Sequence, residues 1–349
     1  MVGMGLSRLR FLAVAGVILA LLAACGGSNT PPAKQFKVGL VTDTGGINDK
    51  SFNHLAYVGL QKGITDLGVK GDVIESKSED DYIPNLTNFA SKGYDLVVAN
   101  GFLMQAPIGT VSGQFPKINF AIVDGFGTDS KFNDLKHSNV MALKFKEQES
   151  GALVGAIAGL LEKQGKAPKN THVIGAIGGI KVPAVDAYLA GYKWGAAKYD
   201  PSIKVLIGYS NNFNDPAKCK GIANSQIGQG AEFLFQVAGG CGVGVLQAAG
   251  QAKVYSFGVD DDQKAVDGSV IASALKKVDL AVFTAIKNVV DGKFKGGETR
   301  FSLQNDATGY AVDNPLASGP LPADIKAEVD ALAAKIKSGA ETPPSDIPA

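Results

Sequence analysis

The 349-residue sequence predicts an α/β protein made of two doubly wound parallel-sheet lobes. Three observations lead there. Short apolar runs, which read as strands buried on both faces, alternate with segments of helical periodicity, the pattern of a parallel sheet covered by helices. The whole rhythm occurs twice. The chain beyond residue 35 is also longer than one core usually accommodates, so two lobes are the default.

In the first set, residues 37–42 (KVGLVT) form a strand and 51–67 a helix with apolar residues at helical spacing. Strand 71–76, helix 82–92, strand 96–100, helix 107–114 and strand 119–124 follow. The second set opens with a Gly/Ala-rich helix at 147–164. It continues as strand 172–177, helix 183–198, strand 204–209, helix 216–229, strand 233–237, helix 242–249 and strand 253–259. The tail holds a short strand at 269–275, a helix at 279–291, a strand at 300–303 and a charged amphipathic helix at 322–337. A Pro-rich stub ends the chain. In such sheets a ligand is expected outside the carboxyl ends of the strands, at the facing edges of the two lobes.

The N-terminus carries a different signal. Arg8 and Arg10 precede an apolar run, 11–22. That run is too short to span roughly 30 Å of hydrocarbon, which takes about twenty residues. With small residues at its end it fits a signal-peptide core. Leu22-Ala23-Ala24-Cys25 resembles the lipobox of bacterial lipoproteins, where the cysteine receives a diacylglycerol and becomes the new N-terminus. The alternative is an ordinary secretory signal with an incidental cysteine. Residues 1–25 are thus expected to be a lipoprotein signal peptide, and 26–35 a flexible Gly/Ser/Pro-rich tether. Export makes Cys219 and Cys241 a disulfide candidate, closing a loop of roughly twenty residues worth about 3 kcal/mol. Two buried thiols, or a metal pair without a His partner, are the alternatives.

Lys plus Arg number 34 and Asp plus Glu 33, scattered among one another, so the chain has no basic footprint for nucleic acid. None of the three His lies near a convincing nucleophile, and there is no GxSxG elbow. HExxH, CxxC and a phosphate-binding P-loop are all missing, and Gly239-Gly240-Cys241-Gly242 lacks dinucleotide-loop spacing. No catalytic activity, metal or cofactor is expected.

Chemistry concentrates where predicted strands end. Asp43, Asp49, Phe52 and Asn53 follow the first strand and Asp124 ends the fourth. Phe213, Asn214 and Asp215, then Gly239, then Asp260 occupy the equivalent places in the second set. Carboxylates and amides suit vicinal hydroxyls, and Phe52 and Phe213 suit a flat ring, where stacking is worth on the order of 1–3 kcal/mol per base. Each residue also has a plainer role. Asp49 and Asp215 sit where helix N-caps belong, and either phenylalanine fits a core.

Residues 41–53 (VTDTGGINDKSFN) resemble the opening signature of the basic membrane protein family. These are substrate-binding lipoproteins of ABC transporters and include purine nucleoside receptors. FAIVD (120–124), FQVAGG (235–240), GVD (258–260) and SALKK (273–277) follow in order, and the resemblance extends over 36–337. It implies a type I periplasmic-binding-protein fold whose two lobes are joined by three crossings. The N-terminal lobe would comprise 36–145 plus 269–297, the C-terminal lobe 146–268 plus 298–340, with 341–349 a tail. It further implies that Phe52 and Phe213 sandwich a base and Asp124 reads its edge. Asp260 would hold ribose hydroxyls and Lys276 would add a polar contact. Asp43, Asp49 and Asn53 would line the first lobe's edge, and Gly239 would bring backbone close. Cys241, inside VAGGCG, departs from nucleoside receptors with another small residue there.

The function so implied is that of a monomeric, extracytoplasmic receptor held to the membrane by its N-terminal lipid. It would capture a purine nucleoside by hinge closure and deliver it to an ABC permease driven by an ATPase. A same-fold receptor for a sugar or other solute, and a signalling or surface lipoprotein without transport, are the rivals. The carboxylates argue against an anionic ligand, which favours helix N-termini free of Asp.

Overall fold

The computed structural model describes residues 34–312, 314–316 and 319–347. The signal segment, Cys25 and nearly all of the tether lie outside the described residues. Residues 36–349 form one compact unit with its own cores.

In the first lobe β1 (Lys37–Thr42), β2 (Lys70–Glu75), β3 (Leu96–Asn100), β4 (Asn119–Val123) and β5 (Val140–Phe145) come from the first part of the chain. They alternate with α1 (Phe52–Leu67), α2 (Tyr82–Ser91) and α3 (Gln105–Gln114). In the second, α4 (Glu147–Lys163) leads to β6 (Val173–Gly178), α5 (Pro183–Tyr199), β7 (Lys204–Tyr209) and α6 (Pro216–Gly228). After these come β8 (Phe233–Val237), α7 (Val243–Ala252), β9 (Tyr255–Asp260) and β10 (Val270–Lys276). The tail adds α8 (Val278–Val290), β11 (Gly297–Phe301), β12 (Thr308–Val312) and α9 (Ala323–Ser338).

The first sheet runs β11-β5-β4-β3-β1-β2 and the second β12-β10-β9-β8-β6-β7. Every pairing is parallel except β10 with β12. The apolar runs explain why: β3 and β8 are buried along their whole length, and only a sheet clothed on both faces buries every side chain of a strand. Each sheet accordingly has two cores. Leu40, Val98 and Ala121 face α1 and α8 while Val97, Phe120 and Ile122 face α2 and α3. In the second lobe Phe233, Phe235 and Phe257 pack with α4, α5 and α9, and Leu234 with α6 and α7.

The tail corrects two expectations. The strand expected near 269–275 in the N-terminal lobe is β10, and it belongs to the second sheet beside β9. Parallel neighbours normally need a crossover helix. Here the return is made by an extended loop, 261–269, pinned where Ser256 N–H donates to the Ser269 carbonyl and Gln263 N–H to Ser273 Oγ. The strand expected at 300–303 in the C-terminal lobe is β11, which begins earlier and pairs with β5 in the first sheet. Strands β5 and β12 were not expected at all. The chain therefore passes between sheets at Lys146, Lys277 and Ser302, giving three crossings.

Helices α4 and α5 approach unusually closely. A Cβ on Gly155 would overlap the Tyr192 carbonyl oxygen and lie 2.9 Å from Tyr192 Cα. The Gly/Ala-rich sequence of α4 is what lets the backbones meet.

Candidate functional site

One cleft lies at the carboxyl ends of both sheets and encloses about 670 Å³, counting its open mouth. A concave site between strand ends of two lobes is where such folds take a small molecule. All nine residues proposed as ligand contacts line it: Asp43, Asp49, Phe52, Asn53, Asp124, Phe213, Gly239, Asp260 and Lys276. Local chain geometry aims several of them. Asp124, just past β4, and Asp260, the last residue of β9, lie in the left-handed region, at φ 66° and 63°. Asp tolerates that conformation better than most residues, and strain of this kind gathers at functional sites.

In the first lobe, Asn53 Nδ2 donates to Asp43 Oδ1 at 2.7 Å and to Asp49 Oδ2 at 3.1 Å. Its own Oδ1 accepts from Asn100 Nδ2 at 2.9 Å. Asn53 thus organises the acids around it. Asp43 Oδ1 also accepts from Gly45 N–H at 2.8 Å. Asp49 accepts from the N–H groups of Ser51, Asn53 and His54 at 3.0, 2.8 and 3.0 Å, so it caps α1 even as it lines the cleft. Asp215 likewise caps α6, accepting from Ala217 N–H at 3.0 Å. It does not line the cleft.

Lys276 is a buried ammonium with all three protons committed. Nζ donates to Asp124 Oδ1 and Oδ2 at 2.8 and 2.6 Å and to Glu147 Oε1 at 2.9 Å. It also lies 5.2 Å from the centroid of the Phe52 ring and 4.9 Å from that of Phe145. Burial alone would push its proton affinity down. The carboxylates of Asp124, Glu147 and Asp260 outweigh that and hold it well above the usual lysine range.

Asp260 is shared between lobes. Ser51 Oγ, from the first lobe, donates to its Oδ2 at 2.6 Å, and Tyr188 OH, from α5, donates to Oδ1 at 3.1 Å. Burial raises Asp260 to about 6 against the opposing pull of Lys276 and Ser51. Burial raises Asp43 to about 6 as well, and Glu147 to about 7, the latter despite Lys276. Asp49 is raised by burial against its backbone donors. Four carboxyl groups line the cleft against one ammonium, so it is acidic and suits neutral or cationic ligands.

Phe52 and Phe213 reach the cleft from opposite lobes. Each also packs on its own lobe's core, so the core and cleft roles are not exclusive. The Phe213 ring lies against Gly179, where a Cβ would overlap it. Its loop is held from the other side by Cys241 N–H, which donates to the Phe213 carbonyl at 2.9 Å. Cys219 and Cys241 form a disulfide, and both are fully buried. The bridge ties α6, just past Phe213, to the Gly239–Gly242 turn, a short 3-10 segment.

With this geometry, the comparisons are specific. A model of the Bmp family, described as ABC transporter substrate-binding protein PnrA-like, matches residues 36–342. The chain belongs to this family. BmpA of Lactococcus lactis, an ABC transporter nucleoside-binding protein, is 33% identical over 94% of this chain and 98% of its own. An uncharacterised lipoprotein of Pyrococcus horikoshii is 35% identical over 86% of this chain and 76% of its own. The crystal structure of an ABC transporter solute-binding protein from Aeropyrum pernix is similar with a TM-score of 0.79. Its identity is 28%, and the match covers 89% of this chain and 94% of that one. The protein is therefore a substrate-binding component of an ABC transporter, with the type I fold of periplasmic solute-binding proteins, and not an enzyme.

The Bmp-type cleft holds residues that sequence reasoning passed over. Phe102 and Leu103 follow β3, and Val182, Ala184, Val185 and Tyr188 come from the start of α5. Their signal was available: they too follow strand ends, after Asn100 and Gly178. Glu147, the partner of Lys276, shows itself only in the folded second lobe, and Ser51, the partner of Asp260, only where the lobes meet.

Proposed function

We propose that this Bmp-family protein is a lipid-anchored, extracytoplasmic receptor that captures purine nucleosides between its lobes for an ABC importer. The observation that carries this is one aromatic ring from each lobe, Phe52 and Phe213, at a single cleft rimmed by buried carboxyl groups. A planar base offers two faces to stack, and a sugar needs only one. Asp260 and Gly239 would take the ribose. Asp43 and Asp124 would take the base edge, Asp124 with the lone pairs not turned to Lys276. The acidic cleft favours a neutral nucleoside over a nucleotide. The nucleoside-binding name of the Lactococcus relative agrees with this reading, and the lipoprotein name of the Pyrococcus relative agrees with the lipobox at Cys25.

Transport would proceed by hinge closure. A ligand touching both lobes stabilises the closed form by its differential affinity, and the closed form docks on the permease. The test is a thermal-shift screen of nucleosides, free bases and sugars on the chain lacking residues 1–25, since a ligand of the native state raises the melting temperature. Guanosine, adenosine or inosine should shift it and sugars should not. Phe52→Ala and Asp260→Ala should each abolish the nucleoside shift while leaving the protein folded. Parent-like responses from both variants would refute the assignment.

A further inference from the structure

Two buried glutamines outside the ligand shell join the lobes. Gln236 lies on β8, three residues before Gly239, and Gln263 lies in the loop that returns from β9 to β10. Both are buried, at 0% and 2% exposure. Starting at the cleft wall, Ala238 N–H donates to Gln236 Oε1 at 3.1 Å. Gln236 Nε2 then donates to Gln263 Oε1 at 2.6 Å, and Gln263 Nε2 to the Lys50 carbonyl at 2.9 Å. Lys50 belongs to the other lobe, and its φ of 59° places it in the left-handed region. Gln263 is itself fixed, its Oε1 also accepting from Val259 N–H at 3.1 Å and its N–H reaching Ser273 Oγ at 3.1 Å. The next residue, Ser51, makes the parallel bond to Asp260.

We infer that Gln236, Gln263 and Ser51 form a closure latch, a set of positioning residues that stabilises the shut lobes through the Lys50–Ser51 peptide. The physical case is that these two bonds exist only when the lobes meet. The donors and acceptors on the second-lobe side are already oriented by their neighbours, so little freedom is lost when Lys50 and Ser51 arrive. The bonds act on the open–closed equilibrium, and through it on ligand residence, whatever the ligand offers. Because the chain of amides begins at Ala238, beside Gly239, it also ties the posture of the ligand-lining turn to closure. The ligand arm of the test rests on the nucleoside reading above; the scattering arm does not.

The experiment uses the 36–349 unit and Gln263→Glu, which keeps the acceptor for Gln236 and Val259 but sets an oxygen against the Lys50 carbonyl. Small-angle scattering without added ligand should show a larger radius of gyration than the parent. Stopped-flow release of guanosine should be about fivefold to tenfold faster, the weight of one hydrogen bond. Ser51→Ala, which leaves the amide chain intact, should move both readouts in the same direction and guards against misfolding of the first variant. Unchanged guanosine release in both variants would overturn the latch. If the parent itself does not bind guanosine, the nucleoside reading fails and scattering alone decides: equal radii for parent and variants would overturn the latch.

Discussion

Asp43→Asn separates the cost of the cleft from its use. Burial raises the Asp43 carboxyl to about 6, from a usual carboxylate value of 3.8. That is roughly two units at 1.36 kcal/mol each, or about 3 kcal/mol. The sign follows from proton linkage. The folded state holds this proton more tightly than the unfolded chain, so stability falls as pH rises from about 4 to about 6 and stays lower above that. Asparagine removes the charge but keeps Oδ1 to accept from Gly45 N–H and Asn53 Nδ2. The variant should therefore gain up to about 3 kcal/mol at pH 8 and converge on the parent near pH 4. Urea unfolding of both proteins at intervals from pH 4 to 8 measures this directly. Guanosine binding should weaken above about pH 6, because the Oδ2 that faces Gly101 is replaced by an amide nitrogen that donates where the carboxylate accepts. A variant less stable than the parent at pH 8, or a difference that does not vary with pH, would refute the reasoning.

Two further outcomes follow from packing and covalent structure. Gly155→Ala forces a methyl into the α4–α5 contact and should cost at least 1–3 kcal/mol of stability by overpacking, measured by urea unfolding. The Cys219–Cys241 bridge is buried on both sides, so the native protein should resist alkylation in reductant until it is unfolded. Replacing both cysteines by serine should remove about 3 kcal/mol, the loop-closure value for a separation of 22 residues, and mass spectrometry with denaturation checks both points.

Legibility in the sequence tracked how local the cause was. Strands such as β3 and β8 declare themselves because full burial demands unbroken apolar runs. The cleft residues were readable because strand ends in such sheets converge, a rule that needs no coordinates. The tail was not readable in the same way. Which sheet β10 and β11 join depends on partners more than 100 residues away for β11 and on the helix-free return for β10. Nothing local distinguishes the two destinations. β5 escaped notice because a long loop, rather than a helix, precedes it. Asp49 shows how a single residue can satisfy two readings that looked exclusive, capping a helix with both oxygens while standing at the cleft wall.

The distribution of polar contacts between the lobes has its own logic. The buried ion pairs sit at the pivot. Lys276 immediately precedes one crossing and Glu147 immediately follows another, while Glu149 Oε2 accepts from Leu303 N–H at 2.6 Å and from Thr308 Oγ1 at 2.9 Å beside the third. Ser150 Oγ donates to the Leu275 carbonyl at 2.7 Å, so the first turn of α4 gathers all three crossings into one hub. Under the proposed hinge closure, groups at a pivot would move least, and Lys276 would keep Glu147, its partner at the neighbouring crossing. Parting such a pair would strand a buried charge, at a cost of several kcal/mol. The contacts that would break on the proposed opening are of another kind: a glutamine amide on a carbonyl and a serine hydroxyl on Asp260. Water would replace either at a net cost of about 1 kcal/mol. Under the proposed closure, such a receptor would be held by buried charges beside its crossings and by modest hydrogen bonds where its lobes part.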